Sequence, residues 1–424
     1  MTMKDRVLSA AFLLLATLWL AGCGHYVCHT GFGNTTCGSN GSGGLSQSGG
    51  TSSASAFVYA VDQGATGATT GTIDGYSLVT STSSFAPITG YSAPSVPVNQ
   101  GGVGMVVAQG KYLYAGFAGT EQLFGWTIGS SGSLTTVSGS PYTAPFLNGF
   151  IGSVGQDNIT TDPKGAFLFI SDAITSQIYV YQIGSGGILT TATGSPLSLP
   201  LGFTPMNLGT DGLGKYLYVV NGNSGNHTGS EVAAYQIGST GSLTAVVGSP
   251  FAFPMWQIKG EPSGKFMIGT TGKTVPSAGV DDDNLYVFSI GTTGALTQVV
   301  KQSTVYAPFS IAVQQNSGGA QVYSFGFNDT ETAFNPVEGY TINGAGTLVA
   351  DGGSPFSQVG SGSWGQLDQS GALLFVYGSY LDTSTNQITT QIAPLSVGSG
   401  GVLTQPAGTL TIATPGFWAV ADAP

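Results

Sequence analysis

One pattern is written seven times between residues 57 and 424. Each copy opens on a short apolar triplet and runs on to a stretch ending in Ile-Gly. A turn of the form Gly-x-Leu follows, and in four copies Gly-Ser-Pro comes next. The triplets are Phe57-Val58-Tyr59, Tyr112-Leu113-Tyr114, Phe167-Leu168-Phe169, Tyr216-Leu217-Tyr218, Phe266-Met267-Ile268, Gln321-Val322-Tyr323 and Leu373-Leu374-Phe375. A period of roughly 50 residues built of strands and turns predicts an all-β chain, a seven-bladed β-propeller with one four-stranded antiparallel blade per repeat.

The third copy can be read strand by strand. Residues 157–162 form a short inner strand, 166–171 a second, 177–183 a third and 188–192 an outer one. The third strand is almost continuously apolar, as expected of sheets covered on both faces. Pro141, Pro196, Pro250 and Pro355 end the Gly-Ser-Pro copies and read as strand exits, because proline cannot donate to a ladder. Residues 416–424 match an inner strand with no second strand after it, while the first repeat begins at its second strand. The C-terminal strand is therefore expected to complete blade 1 and close the ring, which removes exposed edges.

Glycine is 68 of 424 residues and only 7% are charged, which suits many tight turns between short strands. The net charge is −11, and it becomes −12 without Lys4, Asp5 and Arg6. The other seven basic residues are lysines, spread along the chain at 111, 164, 215, 259, 265, 273 and 301. Neither nucleic acid nor an anionic lipid surface is expected to find a basic patch.

The first residues carry Lys4 and Arg6, an apolar run over 7–20, and Leu20-Ala21-Gly22-Cys23. A charged start, a short apolar core and small residues before a cut predict a secretory signal over 1–22. Leu-Ala-Gly-Cys resembles the bacterial lipoprotein signal, which implies lipidation of Cys23; Gly24 after it resembles proteins sent on to the outer membrane. Residues 23–56 become a lipidated tether, since the Gly/Ser-rich stretch from 38 builds no core. Cys28 and Cys37 can pair in an oxidising envelope. Haem attachment, or metal held with His25 and His29, fits the same segment less well because the spacing is wrong and Cys23 is claimed by lipid.

Runs such as Gly214-Lys215-Tyr216-Leu217-Tyr218-Val219, followed by Ile237-Gly238-Ser239-Thr240-Gly241-Ser242-Leu243-Thr244 and Gly248-Ser249-Pro250, resemble the lactonase-like propellers of the 6-phosphogluconolactonase and YVTN-repeat type. The resemblance covers residues 57–424 and implies the seven-bladed fold. It also implies a channel-mouth site where His, Arg and Glu bind a phosphorylated or carboxylated sugar lactone. No arginine follows Arg6, so that set is not present here.

The loops between second and third strands vary most, so binding belongs there. They carry His227 and Glu231, a weak pair for a general base and its orienter. A single histidine between Asn226 and Thr228 also reads as an exposed loop residue. Asp281, Asp282 and Asp283 offer oxygen to calcium, although adjacent residues of an extended strand point apart and a solvated acidic loop fits as well. Lys273 and Glu331 complete the candidate ligand-binding residues. Trp126, Trp256, Trp364 and Trp418 either stack on sugars or fill cores. The leading expectation is a non-catalytic, lipid-anchored envelope propeller that binds a glycan or a protein. A lactonase-type hydrolase is the alternative, and a purely structural envelope protein the third reading.

Overall fold

The computed structural model describes residues 55–63, 68–79, 84–98, 102–117, 119–144, 158–222, 231–271, 283–316, 319–326, 336–362, 364–382, 387–404, 410–412 and 415–423. They form seven antiparallel sheets. From the inner strand outward, blade 2 is Gly102–Ala108, Tyr112–Phe117, Gln122–Ile128 and Leu134–Thr136. Blade 3 is Ile159–Thr161, Phe167–Asp172, Gln177–Ile183 and Leu189–Thr191. Blade 4 is Pro205–Thr210, Tyr216–Asn221, Val232–Ile237 and Leu243–Ala245. Blade 5 is Gln257–Gly260, Phe266–Thr270, Asn284–Ile290 and Leu296–Ser303. Blade 6 is Ser310–Asn316, Gly319–Phe325, Pro336–Ile342 and Leu348–Ala350. Blade 7 is Trp364–Leu367, Leu373–Asp382, Gln387–Val397 and Leu403–Thr404.

Blade 1 is assembled from both ends of the described chain. Its inner strand is Pro415–Asp422, followed outward by Ala56–Asp62, Thr70–Val79 and Ser84–Pro87. Phe57 pairs with Ala421 and Tyr59 with Ala419, so the C-terminal strand closes the ring as expected. Each inner strand touches the next one around the circle, and Pro415–Asp422 touches those of blades 2 and 7.

The repeat triplet holds neighbouring blades together. Seven clusters of buried apolar residues lie one between each pair of adjacent blades. Where the triplet ends in tyrosine, its hydroxyl crosses to the Gly-x-Leu turn of the next blade. Tyr59 donates to the carbonyl of Gly132 at 2.7 Å, Tyr114 to Gly187 at 2.6 Å, Tyr218 to Gly294 at 3.0 Å and Tyr323 to Gly401 at 2.9 Å. The first triplet residue covers the same glycine. Gly294 has φ +87°, and a Cβ there would sit 2.5 Å from the Tyr216 ring. Only glycine accepts both the left-handed backbone and the ring lying on it.

Gly-Ser-Pro turns out to interrupt the outer strand rather than end it. In blade 3, Leu189–Thr191 runs along the lower half of the third strand, and Leu197–Ser198 resumes along its upper half, against Gln177 and Ile178. The ladder skips one third-strand N–H, and the Ser195 hydroxyl accepts it from Val180 at 2.8 Å. Ser140 does the same for Gly125, Ser249 for Ala234 and Ser354 for Gly339. All four Ser-Pro bonds are cis. The expected strand exit is thus a bulge whose orphan donor the serine satisfies.

Candidate functional site

The inner strands begin at the face that carries the second-to-third-strand loops, here called the upper face. The short turns from inner to second strand form the lower face. In blades 3, 4, 5 and 7 the lower turn is held by an acid. Asp162, Asp211, Glu261 and Asp368 are buried and take the main-chain N–H of the residue opening the second strand: Phe167 at 2.7 Å, Tyr216 at 2.7 Å, Phe266 at 3.2 Å and Leu373 at 2.9 Å. Glu261, which has no partner visible in sequence, is therefore a turn clamp. The turns also pack on one another around the ring. Gln109 donates to Gly165 at 2.8 Å and Gln314 to Gln369 at 2.8 Å.

At the upper ends of the inner strands, blades 3 to 6 place Asn158, Asn207, Gln257 and Ser310, each at most 1% exposed. Asn207 donates through Nδ2 to the carbonyl of Trp256 at 2.6 Å, and Gln257 Oε1 accepts from Ile311 N at 2.6 Å. Thr270 adds a 3.2 Å bond to the Phe309 carbonyl. These amides stitch one blade to the next, a structural use for buried polar groups that would otherwise cost free energy.

Aromatic rings occupy the same level. Trp364 and Trp418 are half-buried and pack on the cluster between blades 7 and 1. Trp418 stacks on Tyr377 with centroids 6.1 Å apart and planes at 15°. Half-buried Trp256 lies 5.4 Å from Phe309. Trp126 is different: it is 3% exposed, stacked 5.7 Å from Phe124, and belongs to the core. Of the four tryptophans named from sequence, three therefore stand at the mouth and one does not.

The buried acids of the upper face serve its loops. Asp172 accepts from Ile174 N at 2.9 Å, Thr175 N at 3.2 Å and the Thr175 hydroxyl. Glu338 accepts from Val305 N at 3.1 Å, Tyr306 N at 2.8 Å and the Tyr340 hydroxyl. Burial first, and the Glu338 bond second, hold the Tyr340 hydroxyl well above the ordinary phenol range.

Of the residues predicted to form a site, Glu231 opens the third strand of blade 4 at the upper face, where its carbonyl accepts Asn221 N at 2.8 Å. Asp283 is exposed at the corresponding point of blade 5, its carbonyl accepting Thr304 N at 2.9 Å. His227, Lys273, Asp281, Asp282, Glu331, Cys23, Cys28 and Cys37 lie outside the described residues. Among the described residues, no group of three or more His, Cys, Asp or Glu is placed to hold a metal ion. The mouth aromatics carry no signal in the repeat itself. Trp364 stands out only once the inner strands are aligned, because blades 3 to 6 put Asn158, Asn207, Gln257 and Ser310 at its level, whereas Trp418 aligns with Ile159, Leu208, Ile258 and Ile311.

No sequence pattern of a known protein family matches the chain, and no curated protein matches it by sequence. Solved structures do match. The periplasmic gluconolactonase of Pseudomonas aeruginosa is 14% identical, with a TM-score of 0.58, 88% of this chain covered and 100% of that one. A candidate 6-phosphogluconolactonase of Bacteroides fragilis is 17% identical, with a TM-score of 0.56 and coverage of 88% and 100%. A functionally unknown protein of Desulfotomaculum acetoxidans is 12% identical, with a TM-score of 0.54 and coverage of 87% and 99%. At these identities the likeness is one of architecture: this chain has the seven-bladed fold of the lactonase-like propellers.

Proposed function

We propose that this is a lipid-anchored envelope protein, acylated at Cys23 and tethered by residues 24–54, whose propeller binds an uncharged glycan at its upper mouth without transforming it. The observation that carries the reading is the half-buried Trp364 and Trp418 beside Tyr377 at one side of the mouth. Such rings stack on the apolar faces of sugars, while the buried acids described at that face are already spent on loop N–H groups. A net charge of −12 after signal removal disfavours anionic sugars.

Purified residues 38–424 should bind a member of a neutral oligosaccharide panel, followed by calorimetry and tryptophan fluorescence. Trp364→Ala and Trp418→Ala should each weaken binding about tenfold or more in protein that is still folded at the assay temperature, although both should melt earlier because the rings also pack on the cluster between blades 7 and 1. A panel without a single binder would sink the reading.

A second reading is a sugar-lactone hydrolase, favoured by the two lactonase-type structural neighbours. It requires turnover of a lactone panel above the spontaneous rate, lost in His227→Ala. A protein ligand and a purely structural envelope role remain for a chain that neither binds sugar nor turns over lactone. Calcium at Asp281, Asp282 and Asp283 would show as a calcium-dependent rise in melting temperature.

A further inference from the structure

The two ends of the propeller carry different charges. Lys111, Lys164, Lys215 and Lys265 all sit in lower turns, in the four consecutive blades 2 to 5, and all are exposed. The acids of the same turns are inside. Asp162, Asp211 and Glu261 are at most 4% exposed and are bonded to main-chain N–H groups of their own turns. The outermost charges in those turns are therefore ammonium groups. The fold gathers in the lower turns of neighbouring blades four lysines that lie about 50 residues apart in the sequence. The upper loops are the reverse. Asp62, Glu121, Glu231 and Asp283 lie there, none of them buried, and no lysine does among the described loop residues.

The chain also enters the propeller at the lower face. Ser55 N donates to Leu78 O at 2.7 Å, and Ser55 O accepts from Ala423 N at 3.3 Å. Next to them, Asp422 takes the N–H of Gln369, in the lower turn of blade 7, at 2.8 Å. Residues 24–54 therefore join the body at the end that carries the four lysines. A coil of that length spans roughly 30 Å, short enough to hold this face close to whatever Cys23 is fixed in.

We propose that the lower face is the membrane-facing surface, with Lys111, Lys164, Lys215 and Lys265 resting on anionic lipid headgroups and the aromatic mouth turned away from the bilayer. This rests on the lipid-anchor reading above. Charge acts here only at contact range, because the attraction is screened over about 8 Å. Within that range the lysines are nearest the lipid and the clamped carboxylates lie behind them. The opposite orientation would press the acidic upper loops on the same headgroups. A ligand of the mouth then arrives from the aqueous side and not from the lipid.

The full-length lipidated protein can be tested on vesicles. It is reconstituted on phosphatidylcholine vesicles containing about one-third phosphatidylglycerol and on pure phosphatidylcholine. Its lysines are then acetylated with a water-soluble ester and read by mass spectrometry, with Lys301 as internal reference. Flotation reports the anchor, and Cys23→Ser should abolish it. On anionic vesicles at low salt, the four lower lysines should label at least about threefold more slowly than on neutral vesicles, and high salt should remove the difference. Protein that floats but labels equally at all sites overturns the orientation and leaves the anchor standing. Equal protection on both vesicle types overturns the role of anionic headgroups. Wild-type protein that fails to float overturns the anchor and this proposal together.

Discussion

Blade 6 departs from its neighbours at two residues that answer each other. Other blades open the triplet with an aromatic or leucine, and blade 6 has Gln321. The position after the outer strand is Val137, Ala192 or Val246 in blades 2 to 4, and Asp351 in blade 6. Asp351 is 6% exposed, accepts a 2.7 Å bond from the Thr341 hydroxyl, and faces the Gln321 amide. Burial pushes its carboxyl up from 3.8 to about 6. The folded state thus holds this proton more tightly than the unfolded chain does. The stability it contributes is fully present below 3.8 and is lost as pH rises through about 6. Asp351→Asn should flatten the fall in stability across that window, by at most about 3 kcal/mol, in urea titrations at a series of pH values. An unchanged pH slope would mean that the carboxylate is fully compensated where it lies. Tyr218→Phe tests the inter-blade bond to Gly294 and should cost about 1 kcal/mol. Gly294→Ala should cost more, about 2 kcal/mol or above, because strain at a positive φ adds to a clash with the Tyr216 ring.

Among the elements, Pro415–Asp422 has the most to lose. It covers the inner edge of Ala56–Asp62 and supplies Ala419, Val420 and Ala421 to the clusters on both sides of blade 1. Deleting residues 416–424 should abolish the cooperative thermal transition, while deleting 24–50 should leave it in place. Equal melting of the two truncations would refute the closure. The strands themselves were legible in sequence because each repeat motif has a mechanical job. The tyrosine reaches the next blade, the glycine lets it, and the serine takes the skipped N–H. What could not be read was the continuation of the outer strand past Gly-Ser-Pro. Segments as short as Leu197–Ser198 leave no periodicity behind.

For the whole molecule, the ring was legible and the site only in outline. His227 was singled out as a rare residue type, but rarity along a chain does not say what stands beside it. Trp364 and Trp418 lie one repeat apart, and only the packing of successive inner strands brings their rings to one cluster. The lower lysines were visible as a recurring position in the repeat, although counting them by charge hid that recurrence. Neutralising all four, as Lys111→Gln, Lys164→Gln, Lys215→Gln and Lys265→Gln together, should leave glycan binding and melting of the soluble propeller unchanged.

The pairing of Phe57 with Ala421 joins residues from opposite ends of the propeller sequence. Such a contact cannot begin until the intervening chain has been made, and its long sequence separation carries a large loop-closure cost. A chain crossing a membrane N-terminus first would meanwhile carry Ala56–Asp62 as an uncovered strand edge. Completion of the fold then depends on delivery of the whole chain, and an interrupted one is left open to pairing with its own kind.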